Sequence, residues 1–134
     1  MPKFKDPKKL AAYLKDASDA LLAETMITVQ RELGSRDISP YDEGRFLSNW
    51  FAGESGPNRS TTEAVDSPQT DAEGLDYDTR KTYYLSNNLP YAEVVAIEGI
   101  VFSQETTWFK DYRSSRIPKI QAEAARQIKR EYDL

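Results

Sequence analysis

The stretch "PKKLAAYLKDASDALLAETMITVQREL", Pro7 to Leu33, constrains the fold more than any other. It has Pro only at its first position and no Gly inside, and Gly34 follows as a stop, so it predicts one long helix. Its apolar residues fall on two faces. Leu10, Leu14, Ala17 and Leu21 form one stripe, and Leu22, Met26, Val29 and Leu33 form another, roughly 100° around the axis. Two accounts fit this pattern. Either the helix crosses a curved core and shows it different faces, or one half packs on its own domain and the other on a neighbouring subunit.

The 134 residues fit one domain, 1–134, with a core that needs no disulfide or metal. With 39% apolar and 30% charged residues, that core is thin and much of the surface polar. Cys and His are absent, which removes thiol nucleophiles, disulfides, His-based triads and the usual zinc sites. No run approaches the ~20 apolar residues that span a bilayer, and the basic start lacks an apolar h-region. A soluble protein made in a cytoplasm, with no membrane partner, is expected. The net charge of −4 conceals an asymmetry. Residues 1–16 carry five Lys against two Asp, residues 110–134 seven basic against four acidic, and the middle six against sixteen. With a pI of 4.9, tight DNA binding is not expected.

Along the chain, "SRDISPYDEGRFLSNWFAGESG" places Pro40 and a capping Asp42 before Phe46, Leu47, Trp50 and Phe51. This predicts a capped helical turn running into a strand, with Trp50 as a core anchor. Gly53 to Arg80 is polar, with seven acids against Arg59 and Arg80, and reads as a mobile acidic loop. "KTYYLSNN" reads as a strand ended by Asn87 and Asn88, which tolerate left-handed backbone. Pro90 then opens a short helical segment that Gly99 stops, and "IVFSQETTWF" returns as another strand ending near Trp108. A last helix from about Ser115 holds Pro118 in its first turn and Ile117, Ile120, Ala124, Ile128 and Tyr132 on one face. Lys119, Arg126, Lys129 and Arg130 form its other side, a solvated surface or a contact for acidic protein surface or phosphate. The expected class is α+β: a small, mainly antiparallel sheet covered by the long N-terminal helix and the C-terminal helix, with a protruding acidic loop.

Motifs for chemistry are missing. "GESG" lacks the GK[ST] of a phosphate loop, and "DAEGLDYD" lacks calcium-loop spacing. Asp76 and Asp78 are paired carboxylates without an apolar pocket to raise a pKa. No enzyme, metal or cofactor is expected.

Two stretches carry a family resemblance. "SPYDEGRFLSNW", Ser39 to Trp50, resembles the S-P-x-D-T-G-x-L-x-x-S-W signature of tailed-phage neck and tail-completion proteins, the group typified by the small head-tail joining protein of lambdoid phages. "YYLSNNLPYAEVVAIEG", Tyr83 to Gly99, resembles that family's strand, N-N-x-x-P-Y-A and E-x-G segment. The matching positions are Asp42, Gly44, Leu47 and Trp50, then Asn87, Asn88, Pro90, Tyr91, Ala92 and Gly99. The chain departs from the pattern at Glu43, by one added residue before Gly99, and by a missing Pro after Gln104. The resemblance implies a structural virion protein: a homo-oligomeric ring, often of six subunits, at the head-tail junction. It would be assembled in the host cytoplasm between connector or adaptor proteins and the tail tube or terminator, with genomic DNA passing without specific binding. A tail terminator that sets tail length, or a small non-virion binding module, are the alternatives. In the ring reading, Asp66, Asp71, Asp76 and Asp78 would line the lumen or dock on a neighbour. The apolar run up to Gly99 would be broken because it is two elements, a strand and a short segment closing the core or an edge between subunits.

Overall fold

The computed structural model describes residues 3–41 and 44–134. Its first element is α1, Pro7–Leu33, with the bounds expected. Asp6 caps it by accepting the Lys8 N–H at 2.9 Å, and Pro7 occupies the first turn, where a missing N–H costs nothing. The helix ends at Gly34, where a Cβ would come within 2.7 Å of the Pro68 Cβ. The absence of a side chain there serves the approach of the polar segment.

A 3-10 turn, Leu47–Asn49, runs into β1, Trp50–Glu54, as the sequence predicts, but its N-cap position is Phe46 and no side chain caps it. β1 pairs antiparallel with β2, Tyr83–Asn87, in the register Trp50 to Asn87 and Glu54 to Tyr83. The expected third strand does not join them. Ile100–Val101 (β3) and Gln104–Glu105 (β4) form a separate two-stranded hairpin, with Phe102 and Ser103 at positive φ (49° and 62°) in its tip. A two-residue connection of that hand folds the chain straight back on itself, so the segment is too short to reach the main sheet.

Trp108 begins a helix instead of ending a strand. α2, Trp108–Asp111, continues through a π-helical turn, Tyr112–Arg116, into α3, Ile117–Glu131. Pro118 therefore lies inside a longer helical run. The π turn ends with the Ile117 N–H bonded to the Tyr112 carbonyl, immediately before a residue that has no N–H to give. Ile120, Ala124 and Ile128 are buried, as their spacing predicts.

α1 and α3 pack antiparallel. Tyr13 near the start of α1 meets Tyr132 at the end of α3, ring centroids 5.4 Å apart, and its hydroxyl donates to the Tyr132 carbonyl. At the opposite end Arg116 Nε donates to both Glu32 oxygens at 2.9 and 3.1 Å. The core lies at this second end, where Val29, Leu33, Phe46, Trp50, Leu89, Ala92, Tyr112 and Ile120 are buried together. Trp50 is the anchor expected, edge-on to Phe46 and stacked on Phe109. The two stripes of α1 have different fates. In the second stripe Val29 and Leu33 enter the core and Leu22 and Met26 are half-buried; in the first Ala17 is buried, Leu10 and Leu21 are half-buried and Leu14 is exposed. No helix among the described residues is long and apolar enough to cross a membrane.

The Arg116 guanidinium holds the Glu32 carboxyl below its ordinary range against the opposing effect of burial. A depressed carboxylate contributes stability above its unfolded pKa of ~4.3, and that stability is lost as pH falls through the lower folded value. Glu32→Gln should therefore lower the melting temperature near neutral pH, with the gap to the native chain narrowing as pH falls below ~4. Thermal melting followed by circular dichroism across that range measures it. Asp19 and Asp78, also depressed, act in both chains alike.

Candidate functional site

The doubled asparagine explains how the two motif stretches become one unit. Asn87 Nδ2 donates to the Phe46 carbonyl at 2.8 Å, and its Oδ1 accepts the Leu89 N–H at 3.3 Å. Asn88 Nδ2 donates to the Asn58 carbonyl at 2.7 Å. Neither residue adopts the left-handed backbone that their type permits. Side-chain hydrogen bonds, not backbone conformation, end the strand.

Beyond this corner Pro90 opens a turn, and Leu89 and Ala92 drop into the core. The next five residues, Glu93–Ile97, form a π turn closed by the Glu98 N–H on the Glu93 carbonyl at 3.0 Å. A π turn holds one residue more than an α turn. Trp108 Nε1 anchors the turn by donating to the Val95 carbonyl at 2.8 Å. Gly99 follows at φ +71°, where a Cβ would lie 2.0 Å from the Thr106 carbonyl oxygen. No side chain fits that position, because Thr106 returns its N–H and hydroxyl to the Gly99 carbonyl at 2.8 and 2.7 Å.

The consequence is an apolar edge. Tyr91, Val94, Ile97, Ile100 and Phe102 are all exposed, Ile97 by 65% and Phe102 by 69%. A groove of about 300 Å³ runs beside them, between Pro40, Phe46, Tyr91, Val101 and Phe102. Exposed apolar side chains gathered on the π turn and the hairpin make this edge a candidate interaction surface. The sequence named Tyr91 and Gly99 and missed Ile97, Ile100 and Phe102. A strand reading of "IVFSQETTWF" hid the fact that its apolar residues sit on a projecting hairpin.

The remaining motif positions are structural. Leu47 and Trp50 are buried, and Pro90 is exposed at the turn. Gly44, at φ +78°, leaves room for Asp66, whose carboxylate would collide with a Cβ there. Asp42 lies outside the described residues.

The acidic segment is laid against the domain instead of protruding from it. Asp66 accepts from the Tyr41 hydroxyl at 2.8 Å and pairs with Arg36. Asp78 pairs with Arg80 and Lys15, which hold its carboxyl far below the ordinary range. Asp71 accepts the Ala52 N–H at 3.1 Å and bonds Gln30 and Asn58. Ala72, beside it, is fully buried, its N–H on Gln30 Oε1 at 2.9 Å. Asp76 alone of the four has no side-chain bond among the described residues. Gln30 was missed in the sequence, although a polar residue between Met26 and Leu33 on an apolar stripe is the signal of a buried hub.

Lys119, Arg126, Lys129 and Arg130 are exposed on α3, and among the described residues none forms an ion pair. No cluster of three or more potential metal ligands occurs among the described residues.

No family model, curated protein or solved structure matches the chain.

Asp71 and Asp76 separate structural from exposed acid. Asp71→Ala leaves the Ala52 N–H without its acceptor and the Gln30 amide with only the Trp50 carbonyl, and should destabilise the fold by about 1–3 kcal/mol. Asp76→Ala should stay within about 0.5 kcal/mol. Urea unfolding of the two variants checks this.

Proposed function

We propose that the chain is a structural subunit of a tailed-phage neck, working in a homo-oligomeric ring at the head-tail junction and catalysing no reaction. The observation that carries this reading is the way the two stretches of resemblance combine. Trp50 of the first pairs in register with Asn87 of the second, and Asn87 bonds the Phe46 carbonyl. Their joint product is an exposed apolar edge at Tyr91 to Phe102.

An assembly subunit needs such a surface and an enzyme does not. Among the described residues the groove beside the edge is lined by aromatic and aliphatic side chains and the phenols of Tyr41 and Tyr91, none of them a carboxylate or a lysine. Connector or adaptor proteins on one side and the tail tube or terminator on the other are the partners of this reading. The virion is its location. Genomic DNA passes the ring without specific binding, in keeping with the acidic balance of the chain.

Electron microscopy of a lysate from the parent phage carrying an amber codon early in the gene tests the proposal. DNA-filled heads beside separate tails of normal length are expected. Tails of abnormal length would reassign the chain to tail termination, and intact, normal particles would overturn the reading.

A further inference from the structure

The molecule carries a second open apolar surface, at the end opposite the edge. Leu14, Ala17 and Leu21 of α1 and Ala125 and Ile128 of α3 enclose a groove of about 250 Å³, with Lys129 and Leu134 at its rim. The core that supports the edge includes Leu33, sixteen residues further along α1 than Ala17, or ~24 Å of helix. The two surfaces therefore lie near opposite ends of α1.

Their charges are opposite. Between Lys81 and Lys110 the sequence has no Lys or Arg, and its exposed acids Glu93, Glu98 and Glu105 surround the apolar edge. The groove end is built from residues 3–16, with five Lys against two Asp, and from the end of α3, where exposed Arg126, Lys129 and Arg130 outnumber Glu131 and Asp133. Each chain thus carries an acidic apolar projection and a basic apolar groove.

We propose that the edge of one copy docks in the α1–α3 groove of the next, head to tail. This deepens the ring reading above and rests on it by naming which surfaces meet. Phe102, raised on the hairpin tip, enters the groove of the neighbour beside Leu14 and Leu21. Glu93 and Glu98 then face Arg126 and Lys129. Edge-on-edge pairing is disfavoured because it sets the three glutamates against their own copies. A heterologous contact leaves every open oligomer with one unused edge and one unused groove, so association continues until a ring closes. The half-open apolar stripe of α1 is covered by the neighbour in this arrangement.

The test uses the chain's lack of cysteine. Ser18→Cys in the groove and Ser103→Cys on the hairpin tip, combined in one chain, are treated with a short bis-maleimide cross-linker at high protein concentration. The expected result is a ladder of covalent multimers extending past the dimer, whereas each single-thiol chain stays monomeric. Adding Glu93→Lys and Glu98→Lys should reduce the ladder roughly ten-fold or more. Adding Arg126→Glu and Lys129→Glu to that variant should restore it. Thermal melting first confirms that each variant folds as the native chain does. Absence of multimers, dimers from the Ser103→Cys chain alone, or no recovery in the four-charge variant would overturn the proposal. The readout uses purified chain, so it stands apart from the outcome of the amber lysate.

Discussion

The fold depends on how β1 satisfies its second edge. One side of the strand is bonded to β2, and among the described residues no third strand covers the other. Three side chains do this instead: Gln30 Nε2 donates to the Trp50 carbonyl at 3.1 Å, Asp71 accepts the Ala52 N–H, and Asn58 Nδ2 donates to the Ala52 carbonyl at 3.0 Å. A two-stranded sheet is marginal alone, and an unpaired edge invites association. Here the same three residues close the edge, fix the strand on α1 and draw the acidic segment across both. The segment has almost no core of its own, yet it is part of the domain because its polar groups complete a strand.

This arrangement explains what was legible in the sequence. Elements whose ends are set by local chemistry were readable: α1 from Pro7 and Gly34, and the short segment from Pro90 up to Gly99. β2 was readable from its aromatic alternation, although its Asn87–Asn88 corner is held by the distant Phe46 and Asn58 carbonyls. The α+β class followed from those. Features set by distant partners were not readable. Asp71 looks like any loop acid until Gln30, forty-one positions earlier, is seen to need it. Trp108 reads as the end of a strand, but its indole N–H is claimed by the Val95 carbonyl and the chain turns helical there. Pro118 signals the first turn of a helix, and the π turn before it lets the helix begin earlier.

The candidate site was half visible for the same reason. Its anchoring residues, Asn87, Pro90, Ala92 and Gly99, are small or turn-forming and stand out in a sequence. Its contact residues, Ile97, Ile100 and Phe102, look like ordinary core positions. The π turn leaves Ile97 outside the core, and the hairpin closed by Gly99 and Thr106 turns Ile100 and Phe102 outward. The two dry stripes of α1 have a related explanation. One ends in the core, and the other stays half open at the end of the molecule where basic charge collects.

The central claim is that the Tyr91 to Phe102 edge is an assembly surface, and hydroxyl-radical footprinting tests it most directly. Oxidation of Tyr91, Ile97 and Phe102 would be compared by mass spectrometry between the free chain and the chain in purified particles. The account predicts strong oxidation in the free chain and marked protection in particles, with little change at Asp76 and its neighbours. Equal oxidation of the edge in both states would contradict it.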